Sequence, residues 1–150
     1  MEKPATSPIR ILIADDNPQG TELLEAYLAE TDFQVKTAAD GEQTLDLISR
    51  WKPDILLLDI MMPRMSGFEV CKRLRANPET RSLPIIMVTA LDQHADVERA
   101  VEAGTDDFIS KPVRKDELLP RLHALLKSRE GKTDLERTLR YLGALQNEGN

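Results

Sequence analysis

Five short runs rich in apolar residues alternate with amphipathic stretches along this chain, and that alternation leaves few folds open. Residues 9–14, 55–58, 85–88 and 107–110 have a strand's length and little alternating polar face. Such runs read as strands covered on both sides. Residues 33–37 supply one more. Polar residues stand at the C-terminal ends of four of the five: Asp15 and Asp16 after the first, Asp59 after 55–58, Thr89 after 85–88 and Lys111 after 107–110.

Helical patterns fill the intervals. Leu23, Leu24, Tyr27 and Leu28 share a face behind Asn17, a capping residue, and Pro18, which suits a first turn. Leu45, Ile48 and Trp51 mark a second helix stopped by Lys52 and Pro53. Ser66 and Gly67 open a third, carrying Phe68, Cys71 and Leu74. Residues 96–103 suggest a fourth, ending at Gly104. Leu118, Leu122, Leu125 and Leu126 stripe a fifth. Pro120 lies inside that stripe, where the missing N–H predicts a kink or a late helix start. Five βα units predict a parallel sheet wrapped by helices on both faces. In such sheets ligands bind beyond the carboxyl ends of the strands, so the four polar strand ends predict one acidic site for metal and phosphoryl groups.

Composition narrows the class. At 150 residues, 41% hydrophobic and 31% charged, the chain suits a single globular core. A net charge of -6 gives no electrostatic footprint for direct nucleic-acid binding. Residues 1–8 form a polar tail without a signal-peptide core, and no run approaches the roughly 20 apolar residues that span a bilayer, which predicts a cytoplasmic protein with no membrane partner. Cys71 is the single cysteine; its apolar neighbours predict a core thiol. His94 and His123 fall on helical surface segments and receive no chemistry.

From about residue 9 to residue 128 the chain resembles the receiver domains of two-component response regulators. The likeness rests on Ile13-Ala14-Asp15-Asp16-Asn17, on 53–63 with Asp59 and Pro63, on Met65-Ser66-Gly67, Thr89-Ala90, Gly104-Thr105-Asp106-Asp107-Phe108 and Lys111-Pro112. It implies a doubly wound, five-stranded parallel sheet of flavodoxin-like order 2-1-3-4-5. Five helices would flank the sheet. Beyond the resemblance, a capping box over 133–136 and a stripe of Leu135, Leu139 and Leu142 would make residues 129–150 a C-terminal helical extension or linker.

The resemblance also implies roles. Asp59 would be the phosphoacceptor, its carboxylate attacking the phosphorus of a phosphohistidine on a sensor histidine kinase or phosphotransfer protein. Crowded carboxylates require a compensating cation, and oxygen-only ligands suit Mg²⁺. Asp16 and Asp59 would bind the metal directly, Asp15 largely through water, and the Met61 backbone carbonyl would complete the protein ligands. Lys111, the Thr89 hydroxyl and the Ala90 N–H would hold the phosphoryl oxygens. Thr89 and Phe108 would form the switch, and the Lys111–Pro112 bond would be cis. The output would be a downstream protein or a further domain, with a homodimer also open. The chain would act as a phosphoacceptor signalling domain and not as an enzyme in the ordinary sense. Apolar side chains at Met61 and Leu91, where polar groups would orient water, imply a persistent aspartyl phosphate.

Three other readings stand beside this one. A haloacid-dehalogenase-like phosphohydrolase would carry an acid–base aspartate two residues after the nucleophile, where this chain has Met61. A dinucleotide-binding domain would have a glycine-rich turn after the first strand, where Asp15-Asp16-Asn17-Pro18 stands. A receiver that works as a scaffold without phosphorylation would not need the complete residue set.

Overall fold

A computed structural model of the chain describes residues 8–90 and 94–128. The expectations for the N-terminal tail up to residue 7, for Leu91 and for the extension 129–150 lie outside those residues. Five strands and five helices alternate: β1 (Arg10–Ala14), α1 (Pro18–Leu28), β2 (Gln34–Ala38), α2 (Gly41–Trp51), β3 (Ile55–Leu58), α3 (Gly67–Ala76), β4 (Ile85–Thr89), α4 (His94–Ala103), β5 (Asp107–Ser110) and α5 (Lys115–Ser128). All strand pairs are parallel, in the order β2-β1-β3-β4-β5. This is the doubly wound, flavodoxin-like topology implied by the sequence resemblance.

Alternation along each central strand divides the core in two. Ile11, Ile13, Ile55 and Leu57 face α1 and α5, where Leu24, Leu28, Leu118 and Leu122 meet them. Leu12, Leu56, Leu58 and Met87 face α2, α3 and α4, against Ile48, Phe68, Leu74 and Ala100. The central strands β3 and β4 are buried throughout, which is why their sequences lack polar alternation. Burying a single leucine or isoleucine of this kind stabilises the fold by about 1.5–3 kcal/mol.

Caps define the helix starts. The Asn17 side chain accepts from the Gln19 amide at 2.9 Å, Asp40 from Gln43 at 2.8 Å and Ser66 from Glu69 at 3.3 Å. Cys71 is fully buried, and burial pushes its thiol up to about 11, as a core thiol requires. The His94 and His123 side chains lie at the surface, His94 against Glu98 and His123 beside the Phe33 ring.

Five boundaries differ from the sequence reading, among them that of β4, which runs on to include Thr89. β1 begins at Arg10 rather than at residue 9. β2 is displaced one residue toward the C-terminus, because the Phe33 amide donates to the Thr31 hydroxyl and pairing with β1 starts at Gln34. α4 begins at His94, ahead of residue 96. α5 begins at Lys115 and continues through Pro120, so a late start at the proline is overturned. The proline removes only the amide that would serve the Asp116 carbonyl, on an exposed residue, while Leu118, Leu122 and Leu125 remain buried on either side.

Lys52, the C-cap of α2, is held in the left-handed region at φ 55° and ψ 66°. A side chain costs about 1–2 kcal/mol there, part of which glycine returns through the entropy of its unfolded state. Lys52→Gly is therefore expected to raise the unfolding free energy by roughly 0.5–1 kcal/mol in urea titration, with Lys52→Ala close to wild type; a glycine variant less stable than the alanine one would contradict this.

Candidate functional site

Strand order reverses at the β1/β3 boundary, and the carboxylates fall there. Asp15 directly follows β1 and Asp59 directly follows β3, and the Asp59 amide donates to the Ala14 carbonyl at 2.9 Å. Asp16 stands beside them, exposed, whereas Asp15 and Asp59 are buried. One carboxylate oxygen from each of the three lies within 4.8 Å of the others. Thr89 ends β4, fully buried, and Ala90 follows it at the surface. The Lys111 amide donates to the Thr89 carbonyl at 2.7 Å, which aligns the ends of β4 and β5. The Lys111–Pro112 peptide bond is cis.

Lys111 supplies the electrostatic counterweight. Its Nζ donates to Asp15 Oδ2 at 2.8 Å and to Asp59 Oδ2 at 2.9 Å. The other oxygens have backbone donors: the Asn17 amide reaches Asp15 Oδ1 at 2.9 Å and the Met61 amide reaches Asp59 Oδ1 at 3.0 Å. Burial pushes the Asp59 carboxyl above the ordinary carboxylate range, with repulsion from Asp15 adding to it. Lys111 and the Met61 N–H oppose that shift without cancelling it. Burial lowers Lys111 too, yet its bonds to Asp15 and Asp59 outweigh the effect and hold it above the ordinary lysine range. A trapped ammonium beside a carboxyl that ionises reluctantly describes a pocket with surplus negative charge, suited to a further cation.

Hard oxygen donors from two buried carboxylates and one exposed one match the ligands that Mg²⁺ takes. Opposite ligands on that ion stand about 4.2 Å apart, given bonds of roughly 2.1 Å. A spread within 4.8 Å is close to that scale. Asp16 is the solvent-exposed member of the set. Met61 is 60% exposed, and its backbone amide is the part that bonds Asp59.

Sequence reasoning missed Gly20. A Cβ there would lie 2.4 Å from Asp15 Oδ2 and 3.5 Å from Lys111 Nζ, so the bare α1 backbone is what admits the Asp15–Lys111 pair. Its one signal was a glycine inside a helix, where alanine is favoured by about 1 kcal/mol. Next to the site, an apolar groove of about 390 Å³ is lined by Leu23, Leu24, Pro112 and Val113, with Gln19 and Lys111 at its rim. Tyr27 Oη donates to the Val113 carbonyl at 2.9 Å and fixes the spacing of its walls. Phe108, on β5, is half-buried against the α2–α4 side of the core.

Known proteins resemble this chain over most of its length. The response regulator receiver domain family matches residues 11–123. Response regulator PleD of Caulobacter vibrioides is 42% identical over 118 residues, covering 79% of this chain and 26% of that protein. Response regulator MprA of Mycolicibacterium vanbaalenii is 42% identical over 120 residues, covering 80% of this chain and 51% of that protein. The chain thus spans between about a quarter and about half the length of these curated relatives. The CheY-like response regulator receiver domain protein of Methanospirillum hungatei superposes with a TM-score of 0.77 at 28% identity, over 83% of this chain and 98% of that one. No helix among the described residues is long and apolar enough to cross a membrane. Because the family match runs from β1 into α5 and takes in every strand that carries the carboxylates and the lysine, the chain belongs to the response regulator receiver domains, signalling domains of two-component systems rather than conventional enzymes.

Proposed function

We propose that the chain accepts a phosphoryl group on Asp59 from the phosphohistidine of a sensor histidine kinase or phosphotransfer protein, and that the added charge changes its surface to control a downstream protein or output domain. The observation that carries this reading is the Lys111 ammonium bridging Asp15 and Asp59 beside a third carboxylate at the sheet's switch point. Asp15, Asp16, Asp59 and the Met61 carbonyl are the groups that would hold Mg²⁺. When bound, the ion neutralises the charge that spreads over the phosphoryl oxygens in the transition state.

The protein's own residues account for the rest. The Met61 amide fixes one Asp59 oxygen, which limits rotation of the carboxylate and orients it for in-line attack. As the Asp59 oxygen bonds to phosphorus, the bond from phosphorus to the donor imidazole nitrogen breaks, and that nitrogen keeps the electron pair. Lys111, already within hydrogen-bond distance of Asp59, exchanges a carboxylate oxygen for a phosphoryl oxygen. The Thr89 hydroxyl and Ala90 N–H, at the end of the neighbouring strand, serve the remaining oxygens. The apolar groove beside Lys111 offers the donor protein a surface within reach of the reaction. An aspartyl phosphate carries about 1.5–2 negative charges where the ionised carboxylate carried one, together with new acceptors, enough to draw Thr89 inward and allow Phe108 to follow.

Intact mass after incubation with acetyl phosphate and Mg²⁺ tests the reading: wild type is expected to gain one phosphoryl adduct, and Asp59→Asn or metal-chelated protein none. An adduct on Asp59→Asn would sink the assignment, while binding of beryllofluoride without an adduct would blame the donor. The same measurement after donor removal reads the slow loss expected with an apolar Met61.

Titration gives a second check. An acid whose folded-state pKa is raised costs nothing below its unfolded value and destabilises the fold progressively as pH rises through the folded one. Without metal, Asp59→Asn is therefore expected to be more stable than wild type at pH 7, with the difference closing as pH falls toward about 4. Mg²⁺ should stabilise wild type and not the variant. A difference that is constant with pH in urea unfolding would refute the ionisation account.

Gly20→Ala places a methyl against Asp15 Oδ2. Adduct formation is expected to slow by roughly tenfold, the rate equivalent of about 1.4 kcal/mol of overpacking, while gained helix propensity keeps global stability near wild type. An unchanged rate of adduct formation would show that the close approach has no bearing on the chemistry.

A further inference from the structure

α3 and α4 meet along one face of each helix, where Ala100 and Ala103 share a buried cluster with Phe68, Cys71 and Leu74 and three further contacts of different kinds add to that packing. Phe68, Cys71 and Arg75 share that face of α3. The Arg99 guanidinium stands over the Phe68 ring at 4.2 Å from its centroid. The Cys71 thiol donates to the Ala103 carbonyl at 3.2 Å, and Arg75 Nε donates to the Gly104 carbonyl at 2.8 Å.

The contacts differ in how firmly they are held. Arg75 also donates to the Leu83 carbonyl at 2.6 Å and to Asp106 Oδ2 at 2.9 Å, and that oxygen accepts the Ile85 amide at 2.8 Å. The C-terminal end of α4 is thereby tied into the start of β4. Cys71 is fully buried. Arg99 is exposed, and it meets α3 across a ring face. An exposed cation–π contact is worth about threefold in an equilibrium constant. Of the three ties it is the exposed one and the one nearest the N-terminal half of α4.

Phe68 is also placed to sense Asp59. It follows Gly67, whose amide donates to the Ile60 carbonyl at 2.9 Å and at which a Cβ would stand 2.3 Å from the Asp59 carbonyl oxygen. The first turn of α3 thus rests on the backbone of Asp59, and the next side chain carries α4.

We propose that the Arg99–Phe68 contact is a releasable latch between α3 and α4, and that Arg99 is a positioning residue for the switch. The trigger rests on the reading of Asp59 as phosphoacceptor. In the state described, the latch is closed, and the Arg75 network makes the Ala103–Gly104 end the pivot about which α4 moves when the latch opens. A group at Asp59 shifts the population of the open state only by its differential affinity for the two states. Opening the latch by mutation therefore favours that group's binding by the factor the latch is worth.

Amide hydrogen exchange over residues 94–103 and the midpoint of Mg²⁺-dependent beryllofluoride binding, both on the 150-residue chain, test this in wild type, Arg99→Gln, Arg99→Lys and Phe68→Leu. Arg99→Gln is expected to speed exchange in α4 and to tighten beryllofluoride binding, each about threefold, while exchange in β3 stays unchanged. Arg99→Lys retains a cation for the ring and should remain near wild type. Adding Arg99→Gln to Phe68→Leu should have little further effect on α4, since the contact is already lost. Unchanged exchange in α4, faster exchange with unchanged binding, or equal behaviour of the lysine and glutamine variants would each overturn the proposal. If wild type fails to bind beryllofluoride, the phosphoacceptor reading and the coupling fail together, whereas the exchange data still decide whether Arg99 holds α4.

Discussion

Two carboxylates lie almost wholly buried within reach of one lysine, and much of the site follows from that arrangement. The Asp15 and Asp59 side chains are only 3% and 7% exposed, so neither charge can rely on bulk water. Lys111 bonds both, and backbone amides at Asn17 and Met61 serve the remaining oxygens. One ammonium against two carboxylates, with Asp16 beside them, leaves a negative balance in a small volume. A balance of that sign favours a cation over an anion, which is what the proposed metal site requires. The site is therefore poised rather than satisfied.

The sheet makes this constellation affordable. Strands buried on both faces have no lateral room for ionised groups, so charge collects where β1, β3 and β5 end. Parallel pairing brings those ends to the same edge, and the reversal of order between β1 and β3 opens the crevice where Asp15 and Asp59 face each other. Helices on the two faces are held differently. α1 and α5 cover one face and frame the groove beside Lys111. α2, α3 and α4 cover the other, where α3 touches the Asp59 backbone at its start and α4 along its flank.

Some of this was legible residue by residue. Asn17 and Pro18, Ser66 and Gly67, and Trp51 before Lys52 and Pro53 mark helix ends by chemistry acting within a few residues, and the structure places those ends accordingly. The β2 and α5 boundaries were less legible, because partners distant in sequence decide them. β1 sets where β2 begins to pair, and core leucines on both sides of Pro120 sustain a helix that local propensity disfavours.

By itself, then, the sequence determined the five βα units and the sheet-end placement of Asp15, Asp59, Thr89 and Lys111. Periodicity and strand-end polarity are local properties, and a parallel sheet converts them into position without further information. Only the tertiary structure decided that Lys111 spans Asp15 and Asp59, that Gly20 must lack a side chain for it to do so, and that Arg99 rests on Phe68. Those are distances between residues far apart in the chain, set by how helices pack on a twisted sheet to within about an ångström, and no pattern along the backbone encodes them at that scale.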